Sequence, residues 1–359
     1  MLTGDQRAHL DQWLTARLDG ARDLHVGDAN RPVGGYSAET LILPVTYEHD
    51  GETRAERVVL RMETDDPPVY PEQAPGTGIE IELQYRAMRA LAGASSVPIA
   101  PLLGFERDPG LIGTPFFVMG FVDGQVPAEN PIYTREGFFA DARAEQRARM
   151  LTDGLRVLAA VHAVDWRAAG FDWLVPEGVT PGFASQLALW EEYTARELDG
   201  RVHPPLERAF SWLCAHRPDE RPVTLCWGDP RPGNMIWRDD VCVCATDWEA
   251  AAIAPPEVDL GWWLMFDRWS HETAGVDRLP GEPTRDEQRA LYESFAGREV
   301  GDTYAYELFG AARYAAIVVR VMNRAVARGQ MPADQTIWLE NPAVDCLVEL
   351  LEARASAGA

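Results

Sequence analysis

The stretch LCWGDPRPGNMIW, residues 225–237, with DWE at 247–249, decides how this chain is read. Pro230, Pro232 and Gly233 exclude both a regular helix and a central strand between Asp229 and Asn234, so these residues form a shaped loop. Short apolar runs bracket that loop: VTLCW precedes it, NMIW follows, and VCVCATDW returns behind an Asp239-Asp240 turn. Asp229 at the head of the loop, Asn234 at its end and Asp247 at the end of the next strand can therefore converge on one spot. Such a trio suits phosphoryl transfer. One carboxylate takes the proton of an attacking hydroxyl, while a second carboxylate and an amide oxygen hold Mg²⁺ against nucleotide phosphates. On this reading Asp229 is the base, and Asn234 and Asp247 are the metal ligands. The same residue types also make ordinary turns; the flanking hairpin and the DWE segment favour the chemical reading.

Outward from the loop, the chain divides into two patterns. Upstream, the N-terminal 20 residues form an amphipathic helix, and two β-rich runs flank an Asp50-Gly51 turn, the signature of an antiparallel hairpin. GIEIELQYRAMRALAGA has helical spacing, and VPIAPLLGFERDPGLIGTPFFVMGFVDG reads as two more strands. From about Val126 the pattern changes to long helices, so the expected boundary separates a lobe at 1–122 from a lobe at 123–359. His162, on an otherwise apolar helix, is expected to be a satisfied core histidine.

Composition narrows the function. A net charge of -23 disfavours nucleic acid and anionic membranes as partners, because both need a basic surface. No apolar run reaches the length of a membrane span, and the charged N-terminus lacks a signal-peptide core, so a cytoplasmic location is expected. Five cysteines make no disulfide or zinc framework, and Cys242 and Cys244, alternating on a strand, are expected to fill a buried face. The chain contains no lysine, so all 33 basic residues are arginine and any cation gripping phosphate must be Arg.

WGDPRPGN and DWE resemble the catalytic segments of the aminoglycoside phosphotransferase and choline kinase family, relatives of the protein kinases. The resemblance continues through GGYSAET, PFFVMGFVDG, LAAVHAVD and PPEVDLGWW, in order, over nearly the whole chain. It implies an α+β, protein-kinase-like fold with a small β-rich N-lobe holding one helix and a larger, mainly helical C-lobe. It further implies Mg²⁺-dependent transfer from ATP or GTP to a hydroxyl of a small molecule. Gly34, Gly35 and Ser37 would cover the nucleotide, Met119 and Phe121 would lie at the hinge, and Asp259 would brace the catalytic loop.

The chain departs from the family at two places. Trp227 stands where the family usually has His, and Arg61 where a strand lysine pairs the phosphates. Gln84, Glu80 and Glu82 are the candidates for the helix residue that supports that cation. These departures motivate a second reading, a nucleotide-binding pseudokinase or scaffold; a metal-dependent phosphohydrolase is a third. The aromatic residues of the second lobe, Trp237, Trp248, Trp262, Trp263, Phe266 and Trp269, are expected to be mostly core.

Overall fold

The computed structural model describes residues 2–31 and 39–357. Helix α1 (Gly4–Thr15) starts at a capping box, in which the Thr3 side chain and the Gln6 side chain each accept the other's backbone N–H. Strands β1 (Arg22–Val26), β2 (Glu39–His49), β3 (Glu52–Met62), β4 (Leu102–Glu106) and β5 (Phe116–Gly120) form one antiparallel sheet in the order β1-β2-β3-β5-β4. The β2–β3 hairpin turns at Asp50 and Gly51, both in the left-handed region that matches strand twist. The sequence reading missed β1, an edge strand of five residues with a bulge against β2.

Strand alternation assigns the two faces of this sheet. Val58, Leu60, Met62, Phe116 and Val118 pack with Leu10, Trp13 and Leu14 of α1. Phe117 lies on the opposite face, packed with Ile81, Ala87 and Met88 of α2 (Glu80–Ala94). Arg61 shares that second face, which opens onto the cleft.

After Gly120 the chain becomes mainly helical, as expected, with α3 (Phe138–Asp141), α4 (Ala144–His162), α5 (Phe183–Leu198) and α6 (Pro204–Ala215). Strand β6 (Thr224–Cys226) pairs with β9 (Ala252–Ala254), and β7 (Met235–Arg238) with β8 (Val241–Ala245). Asp239 and Asp240 make the second left-handed hairpin turn. Helices α7 (Glu257–Arg268), α8 (Arg285–Ala296), α9 (Tyr304–Ala327) and α10 (Pro342–Ala357) complete the lobe. Helices α7 and α9 cross at Gly261, where a Cβ would lie 2.5 Å from backbone and side chain of Tyr306, so only glycine permits the approach. The molecule is an α+β, protein-kinase-like, two-lobe fold.

Between β3 and α2 runs a segment, residues 63–79, that the sequence reading left unassigned. It leaves the sheet and lies along the helical lobe. Asp66 pairs with Arg324 and Arg328, the Pro68 carbonyl accepts from Arg320, and the Val69 carbonyl accepts from Tyr193. The amide of Gln186 donates to Gln73. Val69 is itself buried in the helical core. This cross-lobe strap passes beside the catalytic loop.

Candidate active site

The loop between β6 and β7 is held mainly by Asp259 on α7. Its fully buried carboxylate accepts the consecutive amides of Trp227, at 2.6 Å, and Gly228, at 2.9 Å. His162 Nε2 lies 3.1 Å from the same carboxylate, and its Nδ1 lies 2.7 Å from the Tyr292 hydroxyl. His162 is thus the satisfied core histidine expected. Gly228 has a φ of 90° and packs so closely that a Cβ would lie 2.0 Å from the Ala250 carbonyl oxygen. Its own carbonyl accepts from Arg313, which is buried against the Trp190 and Trp262 rings and whose pKa is lowered by desolvation.

Trp227 replaces the family's histidine without leaving a hole. The indole is fully buried, stacks on Trp248 at 5.1 Å and donates from Nε1 to the carbonyls of Thr246 and Asp247. It therefore ties the base loop to the backbone that presents Asp247.

Asp229 is buried and surrounded by donors. Oδ1 accepts from Trp262 Nε1 at 2.7 Å and from Arg231 Nε at 3.0 Å. Oδ2 accepts from Asn234 Nδ2 at 2.7 Å, from Tyr70 at 3.1 Å and more weakly from Arg231. Burial raises its pKa, against the lowering effects of Arg231, Trp262 and Asn234. Arg231 also pairs with Glu129, so its guanidinium is fixed at both ends. The Asn234 amide donates to both the carbonyl and the carboxylate of Asp229, and its backbone carbonyl accepts the amide and hydroxyl of Thr246. That link joins Asn234 to the segment carrying Asp247.

Asp247 takes a left-handed φ of 55°, tolerated by Asp better than by most side chains, and stands half exposed in the cleft. Its carboxylate accepts from Arg61 Nη1 at 2.9 Å. Arg61 is buried; desolvation opposes its charge, but Asp247 and Glu249 outweigh that and raise its pKa. Of the residues read from sequence, Asp229 thus contacts Asn234, Arg61 contacts Asp247, and the Asn234 carbonyl ties the first pair to the segment that carries the second. Gln84 does not join Arg61: it donates to Glu249 at 3.0 Å. Glu82 pairs with Arg107 on the surface, whereas Glu80 is buried, has its pKa raised by desolvation and hydrogen-bonds to Glu249. The hydrogen-bond partner of the strand cation is therefore Asp247, while Glu80 of α2 supports Arg61 through its charge and hydrogen-bonds to Glu249.

Met119 pairs with Val59 inside the sheet, and Phe121 donates its amide to the Arg57 carbonyl while its ring lies under the Arg57 guanidinium. Gly34, Gly35 and Ser37 lie outside the described residues. Cys242 and Cys244 are buried and their pKa values are pushed up to about 12, as two thiols filling a core face should be. Among the second-lobe aromatics, Trp237, Trp248, Trp262 and Trp263 are core, as expected, but Trp262 also reaches the base. Tyr70, Trp262 and Arg231 are contacts of Asp229 that sequence reasoning missed.

The donor set suits a hard divalent cation. Asn234 and Asp247 offer an amide and a carboxylate oxygen without sulfur or imidazole, and Arg61 brings a cation alongside whose buried Nε has no partner among the described residues.

The sequence profile of the phosphotransferase enzyme family matches residues 45–297. The chain belongs to that family. Among solved structures, a candidate aminoglycoside phosphotransferase from Ralstonia eutropha is 23% identical, with a TM-score of 0.68 over 96% of this chain and 98% of the other. A thermostable variant of the aminoglycoside phosphotransferase APH(4)-Ia, in ternary complex with AMP-PNP and hygromycin B, is 12% identical, with a TM-score of 0.57 over 96% and 99%. Acyl-CoA dehydrogenase family member 10 of Mus musculus is 29% identical over 185 residues, 51% of this chain and 16% of that protein. The family thus shares a segment with much longer proteins. No helix among the described residues is long and apolar enough to cross a membrane.

Proposed function

We propose that the chain transfers the γ-phosphoryl group of ATP or GTP to a hydroxyl of a small molecule, with Mg²⁺. The observation that carries this reading is the contact of Asp229 with Asn234 and of Arg61, the sheet's cation, with Asp247, the two pairs being linked through the Asn234 carbonyl and Thr246. Asp229 accepts the acceptor's proton; its burial and the donors around it fix the orientation of its carboxylate. Asn234 and Asp247 would hold the divalent cation, which when bound supplies charge neutralisation on the phosphate oxygens. Arg61 binds phosphate through its fork once released from Asp247. Trp227, Asp259 and Arg313 hold the loop so that these groups need little reorganisation.

The net charge of -23 favours a small acceptor over nucleic acid or an anionic membrane surface. Glu257, Asp267 and Glu272 are each tied to an arginine, so these three carboxylates are not free to receive a polycation. The aromatic surroundings of Asp229, including Trp262 and Tyr70, suit a bulkier, less charged hydroxyl compound.

The test is calorimetric titration of ATP with and without Mg²⁺ into the parent and Asp247→Ala, followed by a screen of ATP consumption across hydroxylated metabolites and antibiotics. Asp247→Ala should lose the Mg²⁺ dependence. Equal affinity and equal Mg²⁺ dependence in both proteins would refute the metal assignment.

A further inference from the structure

A carboxylate offers about four lone-pair sites, and those of Asp229 are all taken. Trp262 and Arg231 occupy Oδ1; Asn234, Tyr70 and the second contact of Arg231 occupy Oδ2. A base in this condition cannot receive an acceptor hydroxyl until one donor leaves. Three of the four donors are poorly placed to leave. Trp262 is buried in the α7–α9 core, Asn234 is buried on the loop with its amide also held by the Asp229 carbonyl, and Arg231 is tethered at its far end by Glu129.

Tyr70 differs from the other three. Its 3.1 Å contact is long for an O–H···O bond, which centres near 2.7–2.8 Å. It is a hydroxyl, the chemical group that an acceptor would bring. It also meets Oδ2, the oxygen shared with Asn234, and so stands on the side of the base facing the candidate metal ligands. The strap is anchored on both sides of it, by the Val69 carbonyl and the Gln73 side chain, so a side-chain rotation clears the site while the strap remains in place.

We propose that Tyr70 holds the place of the acceptor hydroxyl on Asp229 and gates the site, keeping water from the base until an acceptor displaces the phenol. This rests on the phosphotransferase reading above. The strap that carries Tyr70 comes from the nucleotide lobe and is fixed to the acceptor lobe, so the gate belongs to the interface between them.

The test is acceptor-free hydrolysis of Mg·ATP by the full chain, read as ADP release. In that reaction the water oxygen bonds to the γ-phosphorus, the bond from phosphorus to the bridging oxygen breaks, and the water proton passes to Asp229, giving ADP and inorganic phosphate. Tyr70→Phe frees one site on Oδ2 while keeping the ring, and should raise hydrolysis about fivefold, the effect of removing one modest competing hydrogen bond. Tyr70→Ala should raise it at least as much. Calorimetric affinity for Mg·ATP should not change. A gain in rate separates the gate from a merely structural role, since damage to the site lowers turnover.

Rates equal to or below the parent's in Tyr70→Phe, with nucleotide affinity retained, would overturn the gate and leave the phosphotransferase reading standing. A rise that persists when Asp229→Asn is added would remove the base assignment, and the gate with it. Failure of the parent to bind Mg·ATP would refute the functional reading itself, and the gate would fall too.

Discussion

Replacing Asp259 by Asn tests whether the catalytic loop is held as the geometry indicates. The substitution preserves shape but leaves one acceptor oxygen where there were two. In the better orientation the new amide nitrogen faces the Gly228 N–H, so one buried donor loses its partner; in the worse, Trp227 and His162 lose theirs. An orphaned buried N–H costs about 1–3 kcal/mol. Loss of the carboxylate charge also weakens the compensation of Arg313, a buried cation whose Nε already lacks a partner among the described residues. Together these place the loss at roughly 2–4 kcal/mol, a large part of the usual 5–15 kcal/mol of a folded domain. Urea unfolding followed by tryptophan fluorescence measures it, with Trp227 and Trp248 as buried reporters. Turnover should fall by more than the folded fraction explains, because Gly228 adjoins Asp229. A variant within about 0.5 kcal/mol of the parent would refute the brace, since that is the range of ordinary surface substitutions.

Asp229→Asn should keep nucleotide affinity but lower turnover on a true acceptor by about two or more orders of magnitude, as steady-state kinetics would show. Arg61→Ala should weaken use of ATP and Arg61→Lys should recover part of the loss, because Lys returns the charge without the fork; unchanged KM and kcat for ATP in the alanine variant would assign the phosphates to another group. Glu63, at the start of the strap, has its pKa pushed up to about 7 by burial, against the hydrogen bond it accepts from the Ile81 amide. Because the folded value is raised, its favourable contribution is complete below the unfolded carboxylate range and is lost as pH rises through about 7. Glu63→Gln should flatten that fall, as unfolding curves between pH 4 and pH 8 would show.

Much of this arrangement was legible because the chemistry is local. The loop from Trp227 to Asn234 carries its own breakers, and the two hairpins announce themselves by Asp-Gly and Asp-Asp turns. Alternation along β3 could not choose a face for Arg61; the structure does so through Val58, Leu60 and Met62, which pack under α1. The strap was illegible for a physical reason. TDDPPVYPEQAPGTG reads as a Pro- and Gly-rich linker, and its contacts include arginines more than 250 residues away. Trp262 was assigned to the core, correctly, but a buried indole must still place its one N–H, and here the acceptor is the base. The direct partner of Arg61 lies outside the helix because Glu249, within DWE, draws hydrogen bonds from Gln84 and Glu80, while Glu80 acts on Arg61 only through its charge.

The charged groups around the site are paired with one another: Arg61 holds Asp247, and Arg231 holds Asp229. A polyphosphate arriving alone would meet the charge of Asp247, and a divalent cation arriving alone would compete with Arg61 for the same carboxylate. Arriving together they would exchange the pair, with Arg61 turning to phosphate oxygens and Asp247 becoming free to serve as a ligand. Each new contact would replace an old one of similar kind, so the mostly buried guanidinium would not be left without a partner. The pairing of Arg61 with Asp247 is thus compatible with activity, and it gives a physical reason for nucleotide and cation to bind as a unit.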